Sequence, residues 1–341
     1  MPKIGFACKY IDNLTQVGGI KPTDDCKKYN TGTTTVAWLK RQPVKIVEEK
    51  LWSLIKQNLE ATRLLVTRVS TFPEPLRMLR LTSDLLPVYT HPDYQYFYQL
   101  PLVNEFLIKH FDKIGTIAKN NNVRLSFHPG QFVVLASDRP DVVNNSIAEF
   151  EYHADMARMM GYGNTFQDMK INVHVSGKLG ADGFRAAYTQ LSTVAKNCIT
   201  IENDEHVYGL DDCLKLADLC PITLDIHHHY VKTGEYLSSD DARINTIIDS
   251  WRGVVPVLHY SNSLETIWRK DFATTLPDYQ VLLESGIKKQ ALRAHSDCYI
   301  NPSLNDWAIS FLDRFDIMCE AKAKNLASAQ LYQHAIQAGY F

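Results

Sequence analysis

Six residues spread over more than half of the chain share one property: His128, His174, Glu202, Asp225, His259 and Glu320 each close a short β-type run. Taken singly, a strand histidine is more often a hydrogen-bonded core residue than a ligand. Carboxylates in apolar surroundings, however, are strongly disfavoured unless paired or metal-bound, and three of them beside neutral imidazoles point to cations. A donor set of imidazole and carboxylate without thiolate favours Mn²⁺ or Zn²⁺ over the all-oxygen cage of Ca²⁺ or Mg²⁺. Around the six stand His228, in the run Asp225-Ile226-His227-His228-His229, and His295, in Arg293-Ala294-His295-Ser296-Asp297. More than one ion is needed to use them all. A carboxylate bridging two ions about 3.5 to 4 Å apart, for which Glu202 is the candidate, can generate hydroxide at neutral pH and clamp both oxygens of a phosphoryl displacement. The same ions serve hydride shifts or amide hydrolysis, so the donor set alone leaves the reaction open.

The elements that must bring these residues together are short strands alternating with helical stretches. Strands are expected at 3–8, 78–84, 124–129, 170–176, 198–204, 222–228, 255–261 and 314–320, with amphipathic helices at 43–65, 101–121, 141–160, 182–196, 210–219 and 322–337. Such alternation implies a parallel sheet, and eight strand–helix units suit a closed (β/α)8 TIM barrel. Alternation within the strands sets the register: Ile171, Val173 and Val175 oppose Asn172 and His174, while Ile199 and Ile201 oppose Thr200 and Glu202. Leu125 and Phe127 likewise oppose Ser126 and His128, and Ile317 and Cys319 oppose Met318 and Glu320. With the apolar set under the helices, the other set faces the barrel axis and its last members reach the catalytic rim. Long connections at 9–42, 85–100 and 262–302 would lie on that same face.

Composition removes several classes. With 45% hydrophobic and 22% charged residues the chain is globular, and no Gly/Ser/Pro-rich linker divides its 341 residues, so one domain over 1–341 is expected. Its 36 basic and 38 acidic residues leave a formal charge of -2, hence any nucleic-acid surface must be local. No apolar run reaches the ~18 residues of a membrane span, and Met1-Pro2-Lys3 leads directly into a strand, so a cytoplasmic protein is expected. Seven scattered cysteines without a CxxC pair read as reduced, mostly buried thiols.

Specific motifs lie on this frame: Lys3-Ile4-Gly5-Phe6-Ala7-Cys8, MLRLTSDLLP at 78–87, FHPGQF at 127–132, INVHVSG at 171–177, IENDE at 201–205, LDIHHH at 224–229 and CEAKAK at 319–324. Across nearly its whole length the chain resembles the UV damage endonucleases, a metal-dependent repair family whose TIM barrel is related to endonuclease IV. The resemblance implies that damaged double-stranded DNA is nicked immediately 5′ to the lesion, leaving a 3′-hydroxyl and a 5′-phosphate, with no protein partner required. It places His128, His174 and Glu202 at one ion, Glu202, Asp225, His259 and Glu320 at a second, and His228 with His295 at a third. Mn²⁺ is the first expectation, with Zn²⁺, Co²⁺ or Mg²⁺ as substitutes and two or three ions bound. Glu202 and Asp225 would carry the chemistry, and His91 would hold the scissile phosphate.

The same likeness gives Gln131 and Phe132 the role of a wedge filling the gap in a distorted duplex, with Phe132 keeping the stacking face of the usual tyrosine. Weakened stacking lowers the cost of extruding a damaged nucleotide, which makes deformability the recognised feature. Lys9 and Tyr10 join the expected DNA surface, and Lys27, Lys28, Lys40, Arg41 and Lys178 are candidate phosphate contacts by position, although an ordinary solvated charge is the better reading of any one of them taken singly. Aromatic residues Tyr89, Tyr94, Tyr96, Phe97 and Tyr98 suit DNA stacking and packing equally. Departures from the family pattern are Val257, where other members carry a modified lysine serving the third ion, and Phe6 and Tyr10 in place of tyrosine and asparagine. Competing readings are a sugar isomerase on the related barrel, which would use more carboxylates and a lysine, and a lesion-binding protein without cleavage. His153 reads as a packing residue on the face of Phe150 and Ala157, and His227 and His229 receive no role.

Overall fold

Runs such as Ile199-Thr200-Ile201-Glu202, β-branched and bounded by helices, are too short to bury both faces alone and must pair side by side, with each helix crossing back over the sheet. A computed structural model describes residues 1–16, 23–268 and 270–341. Within them, eight parallel strands close into a barrel in chain order: β1 (Ile4–Ala7), β2 (Met78–Arg80), β3 (Arg124–Phe127), β4 (Lys170–His174), β5 (Ile199–Glu202), β6 (Ile222–Asp225), β7 (Val257–Tyr260) and β8 (Asp316–Cys319). Strands β1 and β8 pair to complete it, with Phe6 level with Cys319. The expected (β/α)8 barrel is therefore the observed one.

Helices clothe the outside, among them α1 (Val44–Ser70), α2 (Pro101–Asn120), α3 (Pro140–Met159), α4 (Gly180–Thr189), α5 (Ile226–Thr233) and α6 (Lys324–Gln337). On α1, Leu51, Ile55, Leu59 and Val66 recur at helical spacing and are buried. Strand faces follow the alternation. Ile171, Val173, Ile199, Ile201, Ile222 and Leu224 are buried apolar residues, and the intervening Asn172, Thr200 and Thr223 form a buried polar lining. At the N-terminal end of the barrel Asp316 accepts from the Lys3 amide at 2.8 Å and pairs with Arg124 at 2.6 Å, tying β8 to β1 and β3.

Several boundaries differ from the sequence expectation for local reasons. Strand β2 stops at Arg80 instead of residue 84, because Thr82 caps a single 3-10 turn over Ser83–Leu85. The stretch 182–196 is two helices, since Ser192 accepts from the Ala195 amide and starts a new one over Thr193–Cys198. The helix expected at 210–219 is confined to Leu210–Leu214, and α1 continues to Ser70. In the aromatic connection 85–100 a short helix, Gln95–Gln99, packs Phe97 and Tyr98 inward with Tyr94 also buried, leaving Tyr96 exposed. The expected connection 9–42 includes residues 17–22, which lie outside the described residues.

Candidate metal centre

Register brings the ligand candidates to one level. His174 is paired with Glu202 across β4 and β5, and Asp225 with His259 across β6 and β7, while His128 and Glu320 follow the last residues of β3 and β8. Three ligand groups result within the described residues, each with donor atoms within 4.8 Å of one another: His128, His174 and Glu202; Glu202, Asp225 and His228; Asp225, His259 and Glu320. Glu202 and Asp225 knit the groups together. His295 belongs to none of the three.

Backbone carbonyls orient the imidazoles. A carbonyl can only accept, so a ring nitrogen facing one carries the hydrogen and the other keeps its lone pair. His128 Nδ1 donates to the Pro129 carbonyl at 3.0 Å, His228 Nδ1 to that of Asn203 at 3.0 Å, and His295 Nδ1 to that of Glu320 at 3.1 Å. His128 and His295 thus keep an Nε2 lone pair free, the arrangement that metal-binding histidines use, whereas His228 has Nδ1 3.6 Å from both Glu202 and Asp225 and Nε2 3.6 Å from Glu205. His259 is reversed: Nδ1 lies 3.0 Å from Glu202 Oε1 and Nε2 lies 2.7 Å from Lys170 Nζ. For Nδ1 to act as a ligand Nε2 must hold the hydrogen and Lys170 must accept it as a neutral amine. Burial lowers the Lys170 amine to about 7 against the opposing pull of Glu202, so that state is accessible near neutrality.

The carboxylates are held as firmly. Glu202, 1% exposed, accepts from the Asn172 amide, whose own oxygen is fixed by Thr200 Oγ1 at 2.8 Å. Burial pushes the Glu202 carboxyl up, but His259 and His174 and the hydrogen bonds of His128 and His259 outweigh it and hold it well below the usual range. Asp225 caps α5 by accepting from the His228 amide at 2.7 Å, which leaves Oδ2 buried and without a hydrogen-bond partner among the described residues. Burial drives the Asp225 carboxyl well above its ordinary value. His228 moves oppositely to burial, raised to about 9 by Asp225, Glu202 and Glu205. Glu320 pairs with Arg80, which outweighs burial and keeps its carboxyl low. Three carboxylates gathered with imidazoles in a buried centre call for positive charge, and with Asp225 Oδ2 lacking a hydrogen-bond partner among the described residues the donor set fits divalent cations.

Above the ligands opens a cavity of about 490 Å³ lined by His128, His174, Glu202, His228, His295 and Glu320, with Gln131 at its edge. Asp225 and His259, both 0% exposed, lie beneath its floor. Phe132 stands at the rim, 68% exposed, its ring so close over Gly130 that a Cβ there would meet it at 2.4 Å. Besides Asp225, His259 and Phe132, three more of the expected residues lie outside the cavity lining. His91 Nδ1 accepts from the Asp93 amide at 3.2 Å with its ring against Tyr94, Tyr10 packs on Tyr29 at 5.0 Å, and Lys9 is exposed after β1. Lys178 pairs with Asp138 at 2.8 Å and Lys40 with Asp93 at 3.6 Å, as solvated charges do. His153 is fully buried against Phe127, with burial lowering it to about 4.

Sequence reading passed over Arg80, Lys170, Asn172, Glu205 and Arg293. For three of them a signal existed: Lys170 and Asn172 share the inward parity of His174, and Arg80 ends β2 as His174 ends β4. Glu205 and Arg293 sit in connections, where alternation says nothing.

Comparison with known proteins gives a consistent set. The sequence model described as UV-endonuclease UvdE matches residues 3–338. A UV DNA damage endonuclease of Bacillus thuringiensis subsp. konkukian (strain 97-27) is 29% identical over 300 residues, covering 84% of this chain and 83% of its own length. One of Bacillus cereus (strain B4264) is 29% identical over 321 residues, covering 90% and 89%. Among solved structures, that of SacUVDE superposes with a TM-score of 0.73 at 22% identity over 100% of both chains, and endonuclease IV from Thermus thermophilus with 0.51 at 11% identity over 82% of this chain and 95% of its own. These two likenesses concern the fold.

Proposed function

The chain belongs to the UV-endonuclease UvdE family, and on that premise we propose that this DNA repair endonuclease depends on divalent metal and nicks damaged duplex DNA immediately 5′ to the lesion, leaving a 3′-hydroxyl and a 5′-phosphate. One observation carries the metal dependence: Glu202, Asp225 and Glu320 converge with five imidazoles at one barrel mouth, and Asp225 Oδ2 lies buried without a hydrogen-bond partner among the described residues. Ions held there, Mn²⁺ first, would lower the pKa of a water and clamp the oxygens of the phosphodiester.

The chain's own groups prepare that chemistry. His128, His174 and Glu202 hold one position, and Glu202, Asp225, His259 and Glu320 the other. Asn172 aims Glu202 between them, and Arg80 fixes Glu320. Ligands pinned by a second layer of hydrogen bonds need no reorganisation when the phosphate arrives. Gln131 and Phe132 supply the wedge, and the exposure of Phe132 supports that role. Lys9 and Tyr10 follow β1 and His91 lies in the connection after β2, on the same end of the barrel, where backbone phosphates would pass. No described helix is long and apolar enough to cross a membrane. We assign the whole of 1–341 to one domain acting in the cytoplasm.

The test is nicking of UV-irradiated plasmid with Mn²⁺, followed by end-group analysis. Nicks confined to irradiated DNA with 3′-hydroxyl ends are expected. Glu202→Gln should lower the rate by more than about 100-fold, beyond the loss of an outer hydrogen-bond partner, while gel shifts on damaged duplex persist. Undiminished cutting by Glu202→Gln, or equal nicking of undamaged plasmid, would sink the reading.

A further inference from the structure

Two ions use up the carboxylates of this centre. Every ligand group within the described residues contains Glu202 or Asp225, and His228 shares both of them. A separate third ion would be left with His295 and whatever His228 could spare, two neutral imidazoles and no anionic ligand. Val257, fully buried on β7, offers no donor atom. The next carboxylate is Glu205, 3.6 Å from His228 Nε2, and Arg293 Nε already faces it at 4.0 Å. A dication there would sit against a guanidinium.

That guanidinium lines the same cavity as His228 and His295. Arg293 Nη1 donates to His206 Nε2 at 2.8 Å, which leaves most of its five N–H groups for another acceptor. Its backbone is anchored from below. Leu292, immediately before it, is fully buried, and the Leu292 carbonyl accepts from Ser263 Oγ at 2.7 Å and from His227 Nε2 at 3.1 Å. A planar fork held on a fixed stem suits bidentate contact with a phosphate better than a flexible ammonium does.

We propose that Arg293 supplies, in place of a third ion, the positive charge that binds a DNA phosphate at the mouth of this site. The inference rests on the endonuclease reading above and names the group that holds its substrate. It makes the centre a two-ion site completed by a side chain, and accounts for the absence of a ligand at Val257.

The test combines a metal count with DNA affinity. Native mass spectrometry of the full chain loaded with Mn²⁺ should give two ions, unchanged in Arg293→Gln and Arg293→Lys. Fluorescence anisotropy on a UV-irradiated duplex in EDTA, where nothing is cut, should show Arg293→Gln binding roughly tenfold more weakly, with the salt slope reduced by about one phosphate contact. Arg293→Lys should restore the slope without the full affinity. Thermal melts identify any variant that fails to fold, and the wild-type metal count stands independently of them. Three ions in the wild type, or unaltered affinity and slope in folded Arg293→Gln, would overturn the assignment. If wild type fails to nick irradiated plasmid, the endonuclease reading fails; if it nicks and Arg293→Gln is indistinguishable in affinity, only this inference does.

Discussion

His228 carries the sharpest electrostatic contradiction in the molecule: a buried imidazole whose surroundings favour the proton. Burial alone would lower it, yet Asp225, Glu202 and Glu205 raise it to about 9, and Asp225 is itself driven well above the usual carboxylate range by burial. Metal binding requires His228 to give up its proton, so affinity should rise with pH from neutrality until His228 has titrated near 9. Calorimetry of Mn²⁺ binding in buffers of different ionisation enthalpy should report net proton release at pH 7, falling as pH approaches 9. Affinity independent of pH across that window would mean that His228 is not a ligand. Lys170 adds to the same balance from beneath, since its neutral form lets His259 present Nδ1.

At the scale of elements, the proposed wedge would depend on how the β3 and β4 connections are clamped together. Ala136 donates its amide to the Ser176 carbonyl at 3.0 Å, Leu179 donates back to Ala136 at 3.0 Å, and Ser176 Oγ reaches the Val133 carbonyl at 3.1 Å. Gly177 lies at the crossing with φ +113°, and a Cβ there would stand 2.2 Å from the Ala136 carbonyl. Gly177→Ala therefore combines backbone strain with overpacking and should cost about 3 kcal/mol, or about 4 °C in Tm by calorimetry. It should also weaken binding to damaged duplex by displacing Gln131 and Phe132. A variant as stable as wild type would show that the two connections move apart freely.

At the scale of the whole molecule, metal should stabilise the fold because the proposed ligands come from the ends of six strands. β3 to β8 each bring at least one, so an ion bridging them resists opening of the barrel. Mn²⁺ at a hundred times its Kd contributes about 2.7 kcal/mol per site, and the Tm should exceed that in EDTA by at least about 5 °C. Equal melting temperatures would indicate that the groups do not bind the ion in the folded chain. A formal charge of -2 gives the protein no net attraction to DNA, so under the proposed function affinity would come from local contacts such as those at the mouth of the barrel.

Strand alternation is a local property with a period of two, and for that reason the sequence alone determined the barrel, its inward register and the six candidate ligand positions at the ends of its strands. His228 and His295 were legible as neighbours of that set and were expected to share a third ion, whereas the geometry groups His228 with Glu202 and Asp225 and puts His295 in none of the three groups. Helix ends were less legible, because caps such as Ser192 and Thr82 compete with amphipathic periodicity over single residues. Only tertiary structure decided what occupies the second layer. Arg80 against Glu320, Lys170 beneath His259 and Arg293 beside His206 are contacts between segments 87 to 240 residues apart, depending on barrel closure and side-chain reach, to which no local pattern in the chain corresponds.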